Sequence, residues 1–146
     1  MDDDQPNEIE QDVLIYSINE DQNPASVSGV SSDLSNVNVP RSLKYESKEC
    51  IITHILTSGC SYSDVTAVEF AANSELQIIE DRSFEFSQIA SITIPSSVTQ
   101  ICESAFSSCG QFVQVEFQQN SKLRTIEKSA FYGSQTSKHH DSIKRD

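Results

Sequence analysis

Apolar residues in the second half of the chain recur at fixed distances, and this recurrence predicts a repeat protein. Residues 68–79 and 115–126 align with each other at an offset of 47, and the match continues to a phenylalanine beyond each segment. The positions of the first copy that are identical in the second include Val68, Phe70, Asn73, Ser74, Leu76, Ile79 and Phe84. Self-similarity of this kind is the signature of stacked structural units.

Two further copies complete the pattern. One lies between the first two and runs from Ile92 through Val98 and Ile101 to Phe106. A weaker copy begins at Val37, is interrupted at residues 45–53 by what reads as an inserted hairpin, and carries Cys60 in the phenylalanine position. We therefore predict about four coils. Their bounds are about 37–64 with the hairpin insertion, 65–88, 89–111 and 112–135.

The spacing within one copy explains why the copies must stack. Apolar residues two apart on a short strand point to the same face, and the following apolar positions turn the chain back beneath that strand. A single coil cannot bury this face alone, so neighbouring coils have to share one continuous core. The residues predicted to anchor that core are Val68, Phe70, Phe84, Ile92, Ile94, Phe106, Val115, Phe117 and Phe131.

The middle copy carries a recognisable motif. Residues 92–101, followed by Ala105-Phe106-Ser107-Ser108-Cys109, resemble the unit of the BspA-like leucine-rich repeat family. That unit has two spaced aliphatic residues and a proline, another aliphatic, and then Ile-x-x-x-Ala-Phe-x-x-Cys. The glycine that usually follows its isoleucine is replaced here by Glu80, Cys102 and Glu127. The resemblance implies an α/β-type repeat solenoid, a right-handed coil with short parallel strands, over residues 37–135.

The resemblance also implies a function. Members of the family are surface antigens and adhesin-like proteins of bacteria and parasitic protists, which suggests a non-enzymatic module for cell adhesion that binds a host or self surface protein. In such solenoids the outward strand residues form the docking face. The predicted binding residues are Ala67, Glu69, Ala71, Ser91, Thr93, Gln114, Glu116 and Gln118. This face is polar and mildly acidic, so we expect modest affinity for a basic partner. The alternative is a short or vestigial structural fragment without a ligand of its own.

The segments that flank the repeats have a different composition. Residues 1–36 are acidic and rich in Ser, Asn, Asp and Gln, which predicts a mostly disordered arm. Within it, residues 12–18 have a strand-like composition and could cap the open edge of the first coil. Residues 136–146 lack the repeat pattern, and we expect a disordered tail.

The charge distribution narrows the range of partners. The net charge is −12, and nine acidic residues precede the first basic residue, Arg41. A chain of this kind repels phosphate groups, so neither nucleic acid nor an anionic membrane surface is an expected partner. No apolar run approaches the roughly 20 residues of a membrane-spanning helix. The acidic start is unlike a signal peptide. From the sequence we expect a soluble cytoplasmic protein, whereas the resemblance implies the cell surface.

The residues capable of chemistry favour structural roles. The four cysteines allow three pairings, among which the sequence does not choose, and reduced thiols are the default. His54, Cys50 and Cys60 fit no zinc spacing, so we predict neither a metal nor a cofactor. Glu69 and Glu116 should lie roughly 10 Å apart, two strands from each other, which is too far for a retaining glycosidase pair. We predict no catalytic residue and no enzymatic activity.

Overall fold

The computed structural model describes residues 7–11, 14–18, 24–31 and 35–134, without the side chains of Asn7 and Ile9. Strands and turns make up this part of the chain, and it contains no helix, hence none that could cross a membrane. The strands are β1 (Asn7–Gln11), β2 (Leu14–Ile18), β3 (Pro24–Val30), β4 (Asn36–Val39), β5 (Ser42–Tyr45), β6 (Lys48–Ile55), β7 (Ala67–Phe70), β8 (Ile78–Ile79), β9 (Ser91–Ile94), β10 (Gln100–Ile101), β11 (Gln114–Phe117) and β12 (Thr125–Ile126).

One strand from each coil contributes to a parallel sheet, which we call the front sheet. Its order is β11-β9-β7-β4. The register aligns Val37 with Val68, Val68 with Ile92, and Ile92 with Val115, and all four side chains are buried. Because side chains alternate along a strand, this inward row determines which neighbouring residues face outward.

A second set of strands, which we call the back sheet, closes each coil. The two-residue strands β8, β10 and β12 pair in parallel, and β8 continues the pairing to β6. Their register stacks Ile55, Ile79, Ile101 and Ile126 in one aliphatic row. The first three of these side chains are fully buried, and Ile126 packs against the core at the last coil.

The third side of each coil is a turn that carries the repeated phenylalanine. Phe84, Phe106 and Phe131 stack with nearly parallel rings whose centroids lie 5.1 and 5.3 Å apart. Cys60 is buried at the corresponding place in the first coil. Backbone hydrogen bonds join the same turns of neighbouring coils. The N–H of Phe84 donates to the carbonyl of Ala105 at 2.8 Å, and the N–H of Phe106 donates to the carbonyl of Ala130 at 2.7 Å. The aromatic row and the backbone therefore reinforce the same stacking.

These turns correct the expected α/β label for the described residues. The turns of the four coils occupy residues 57–62, 81–86, 103–108 and 128–133. Each contains residues with positive φ, such as Arg82 at 57° and Phe86 at 59°, which an α-helix of L-residues does not accommodate. In addition, the N–H groups of Arg82, Phe84 and Phe86 bond to the next coil, so they are not available for helical bonds. The family-like pattern is thus realised as a β-solenoid.

The first coil contains a hairpin and is flanked by three N-terminal strands. β5 and β6 pair antiparallel across a turn at Glu46 and Ser47, both with positive φ. This hairpin spans residues 42–55 and includes the predicted insertion. β3 then pairs in parallel with β6, and β2 and β1 follow in antiparallel order. The back sheet therefore extends past the first coil.

The disorder predicted for residues 1–36 is not confirmed where the structure describes them. Alternate residues of β2 and β3, among them Leu14, Ile18, Ala25 and Val27, are buried and extend the core, while the acidic residues of β1 are exposed. β2 falls within the strand predicted at 12–18, but β3 separates it from the first coil. Residues 1–6, 12–13, 19–23 and 32–34 of the arm, and the predicted disordered tail at 136–146, lie outside the described residues.

Candidate functional site

The outward face of the front sheet contains a shallow groove of about 380 Å³. Seven of the eight predicted binding residues line it: Ala67, Glu69, Ser91, Thr93, Gln114, Glu116 and Gln118. The eighth, Ala71, lines an adjoining groove of similar size together with Asn38, Val39 and Pro40. Glu69 and Phe70 border both grooves. Stacking therefore brings residues from four coils onto one continuous surface, which we call the strand face.

The register arranges the strand face in two polar rows. Asn36 lies beside Ala67, Ala67 beside Ser91, and Ser91 beside Gln114. In the second row Asn38 lies beside Glu69 and Thr93 beside Glu116. Asn36 and Asn38 are exposed and belong to this face, but they were not among the predicted binding residues. Their alternation with Val37 and Val39 in the weak first copy was the signal that could have identified them.

Hydrogen bonds on the strand face leave Glu69 available. The side-chain amide of Gln114 donates from Nε2 to Oε1 of Glu116 at 2.6 Å, which orients that carboxylate. Gln118 accepts a bond from the backbone N–H of Ser96 at 3.0 Å, so its carbonyl is already engaged. The carboxylate of Glu69 has no hydrogen bond or ion pair to another described residue. Among the described residues, neither lysine nor arginine lines either groove, so the charged side chains of the lining are carboxylates.

The predicted anchors lie behind this face and in the turns. Those that are buried are Val68, Phe84, Ile92, Ile94, Phe106, Val115 and Phe131. Phe70 and Phe117 are only partly buried and pack against the edge of the core. Phe70 thus contributes both to the core and to the surface of the grooves.

A family comparison identifies the repeat. The model of the BspA-type leucine-rich repeat region matches residues 31–143 in six copies. The chain belongs to the BspA-type leucine-rich repeat family. No curated protein matches this chain in sequence. The resemblance read from the middle copy is therefore confirmed by the family model over most of the chain.

Solved structures share the fold of this BspA-type chain. The pneumococcal vaccine antigen PcpA is 21% identical with a TM-score of 0.65, over 89% of this chain and 42% of PcpA. A leucine-rich cell surface protein of Faecalibacterium prausnitzii is 19% identical with a TM-score of 0.51, over 89% and 29% of the two chains. A leucine-rich repeat protein of Bacteroides capillosus is 18% identical with a TM-score of 0.50, over 83% and 71%. This chain therefore spans less than half the length of the first two.

The four cysteines of this BspA-type chain are free thiols, and all are buried. Burial raises the pKa of Cys60 to about 12. Burial, followed by the charges of Glu127, Asp81 and Glu80, raises the pKa of Cys102 to about 11. Burial also raises the pKa of Cys109, whose Sγ donates to the carbonyl of Phe84 at 3.0 Å. Because the thiolate is the reactive form, these three thiols are poor nucleophiles near neutral pH.

One group of possible metal ligands is formed by coil stacking. Asp81, Cys102 and Glu127 come from three successive coils, and their ligand atoms lie within 4.8 Å of one another. Cys50, His54 and Cys60 form no such group among the described residues. The first combination was not predicted from the sequence, although Cys102 and Glu127 share the position where the family usually has glycine. That shared position was the available signal.

Proposed function

We propose that this chain is a non-enzymatic protein-interaction module whose partner docks on the strand face. The observation that carries the proposal is the groove on the front sheet, which gathers outward residues from three strands and from the turn after β11. Its lining is dominated by carboxylate, amide and hydroxyl groups held on a parallel sheet. A rigid sheet surface with adaptable polar side chains is suited to recognising another polypeptide.

The partner we propose carries lysine or arginine. Glu69 and Glu116 are the charged groups among the described residues that line the groove, and these residues include no cation. Their strands are two apart, which separates the carboxylates by roughly 10 Å. Exposed ion pairs contribute only about 0–1 kcal/mol each, so modest affinity is expected from charge alone. The partly buried Phe70 at the junction of the two grooves supplies an apolar contact.

We further propose a surface-antigen or adhesin-like role, with a host or self surface protein as partner. Support comes from the family and from two structural neighbours, a vaccine antigen and a cell surface protein. Those neighbours are longer than this chain, and at their low identity they share only the fold with it.

Peptide selection tests the docking face directly. Short random peptides are selected on the full chain, and their affinities are measured by fluorescence anisotropy at low and moderate salt. We expect the selected peptides to be enriched in lysine and arginine. The double variant Glu69→Lys/Glu116→Lys should bind them about tenfold or more weakly, because two attractions become repulsions.

Glu103→Lys and Glu85→Lys together provide a matched control. They make the same change in net charge at residues of the turn segments, away from the groove lining. Equal weakening by both double variants would indicate a general charge effect and contradict docking at this face. Unchanged binding by the Glu69→Lys/Glu116→Lys variant would have the same consequence.

A further inference from the structure

The residue directly after each short back-sheet strand has an ionisable side chain. After β8, β10 and β12 these residues are Glu80, Cys102 and Glu127. Because the three strands pair in parallel register, the same position recurs on successive coils along one line of the surface. Asp81 follows Glu80 and extends the group. A thiol is therefore placed between carboxylates that are distant in sequence.

The geometry of this cluster is close to that of a ligand set. The Sγ of Cys102 and carboxylate oxygens of Asp81 and Glu127 lie within 4.8 Å of one another. Cys102 is only 8% exposed, and its thiol has no hydrogen-bond partner among the described residues. Glu127 is oriented by the side-chain amide of Gln100, which donates to it from Nε2. The buried sulfur of Cys102, which has no hydrogen-bond partner among the described residues, thus lies near two carboxylates, and that of Glu127 is held in place by Gln100.

The electrostatics of the cluster favour a cation. The charged side chains that act on Cys102 are all carboxylates, those of Glu127, Asp81 and Glu80. Like charges around a buried thiol repel its ionised form. A divalent ion would reverse this effect, since it attracts the carboxylates and replaces the thiol proton.

We propose that Asp81, Cys102 and Glu127 bind a zinc ion. Thiolate ligands favour zinc over magnesium and calcium, which prefer oxygen ligands alone. Ligand atoms around tetrahedral zinc lie about 3.5 Å apart, so the present side chains would have to close by about 1 Å. Asp81 is exposed, so its side chain can rotate towards Cys102 and Glu127, which stay in place. Water completes the fourth position, and one thiol proton is released for each ion bound.

Such an ion would join three coils through one residue from each. This role differs from that of the strand face, because the ligands follow the back-sheet strands and do not line the front-sheet grooves. The proposal therefore stands or fails independently of partner binding.

Cobalt and zinc titrations of the metal-free full chain test the site. Cobalt should give one thiolate-to-metal charge-transfer band in the near ultraviolet, saturating at one ion per chain and reversed by zinc. Zinc calorimetry in buffers of different ionisation enthalpy should report release of one proton per ion at neutral pH. Excess magnesium or calcium should displace neither ion.

Variants assign the ligands. Cys102→Ser and Cys102→Ala should abolish the cobalt band, while Asp81→Asn and Glu127→Gln should weaken zinc binding about tenfold or more. Gln100→Ala, which removes the orienting amide, should weaken it by roughly tenfold.

The controls are Glu103→Gln, Cys109→Ser and a His139→Ala/His140→Ala double change. The last is included because the tail carries two adjacent histidines, and histidine is a common zinc ligand. Each control should retain the band and the zinc affinity. Circular dichroism establishes which variants fold. If neither cysteine variant folds, Asp81→Asn and Glu127→Gln decide between support and refutation. Absence of the band in the native chain, its persistence without Cys102, or equal weakening by Glu103→Gln and Glu127→Gln would overturn the proposal.

Discussion

Phe106→Ala should lower the free energy of unfolding more than any exposed aromatic replacement in this chain. Phe106 is completely buried and contacts Phe84, Phe112 and Phe131, with ring centroids 5.1, 5.2 and 5.3 Å away. Truncating a buried phenylalanine costs about 3–5 kcal/mol. This cost already includes the lost ring contacts, each worth about 0.5–1.5 kcal/mol beyond area burial, and three such contacts place Phe106→Ala in the upper part of the range, at about 4–5 kcal/mol. That is a large part of the about 5–15 kcal/mol that stabilises a typical domain.

Urea unfolding followed by circular dichroism measures this loss. Tyr132→Ala is the matched control, because Tyr132 is 67% exposed and its removal should stay within about 0.5 kcal/mol. Phe131→Ala, in the last described coil, should release mainly that coil, which hydrogen exchange would detect as lost protection in β11 and β12. Phe106→Ala should reduce protection in the coils on both sides. A loss below about 1 kcal/mol for Phe106→Ala, or equal losses for Phe106→Ala and Tyr132→Ala, would refute the shared aromatic core.

Three further predictions concern the thiols, the N-terminal strands and the strand face. Burial raises the pKa of Cys60 from 9.0 to about 12. Between pH 9 and about pH 12 the folded chain therefore binds more protons than the unfolded chain, and the free energy of unfolding should fall as the pH rises through this range. Urea midpoints from pH 8 to pH 11 should fall less steeply in Cys60→Ala, and an identical slope would contradict the assignment. Val27→Asp should destabilise the chain by about 3 kcal/mol or more in urea unfolding, because it buries an unpaired charge. Ser26→Asp, on the opposite side of β3, should cost far less. Equal losses for the two variants would contradict the burial of Val27 in the core. Glu69→Lys/Glu116→Lys should change stability by less than about 0.5 kcal/mol in thermal melting, and a larger loss would show that these carboxylates support the fold.

Much of the solenoid could be predicted from the repeated residues, because each coil buries apolar side chains at equivalent positions. Val68 and Val115 recur at an offset of 47 and occupy equivalent inward positions in β7 and β11. Phe84 and Phe131 recur in the same way and enter one aromatic row. The outward residues between these anchors could be predicted because side chains alternate along a strand, and seven of the predicted residues line one groove. Whether a partner binds that groove stays a prediction.

Two features were not readable in this way. The disorder predicted for the N-terminal arm was based on its composition, but its strands depend on pairing between β3 and β6, which are separated in the chain by β4 and β5. The absence of helix in the described turns also depends on contacts between coils, because N–H groups such as that of Phe84 bond to the next coil. Local composition and family resemblance do not report such long-range bonds.

The amino-acid sequence alone determined the repeat length, the inward apolar rows and the polarity of the strand face, because these features are copied at identical positions in every coil. The tertiary structure alone decided which non-repeated residues become neighbours. Asp81, Cys102 and Glu127 are unlike one another and far apart along the chain, and they meet only because parallel register places successive coils one strand spacing apart. Periodicity predicts rows of similar residues, whereas a mixed cluster becomes visible only once the coils are stacked.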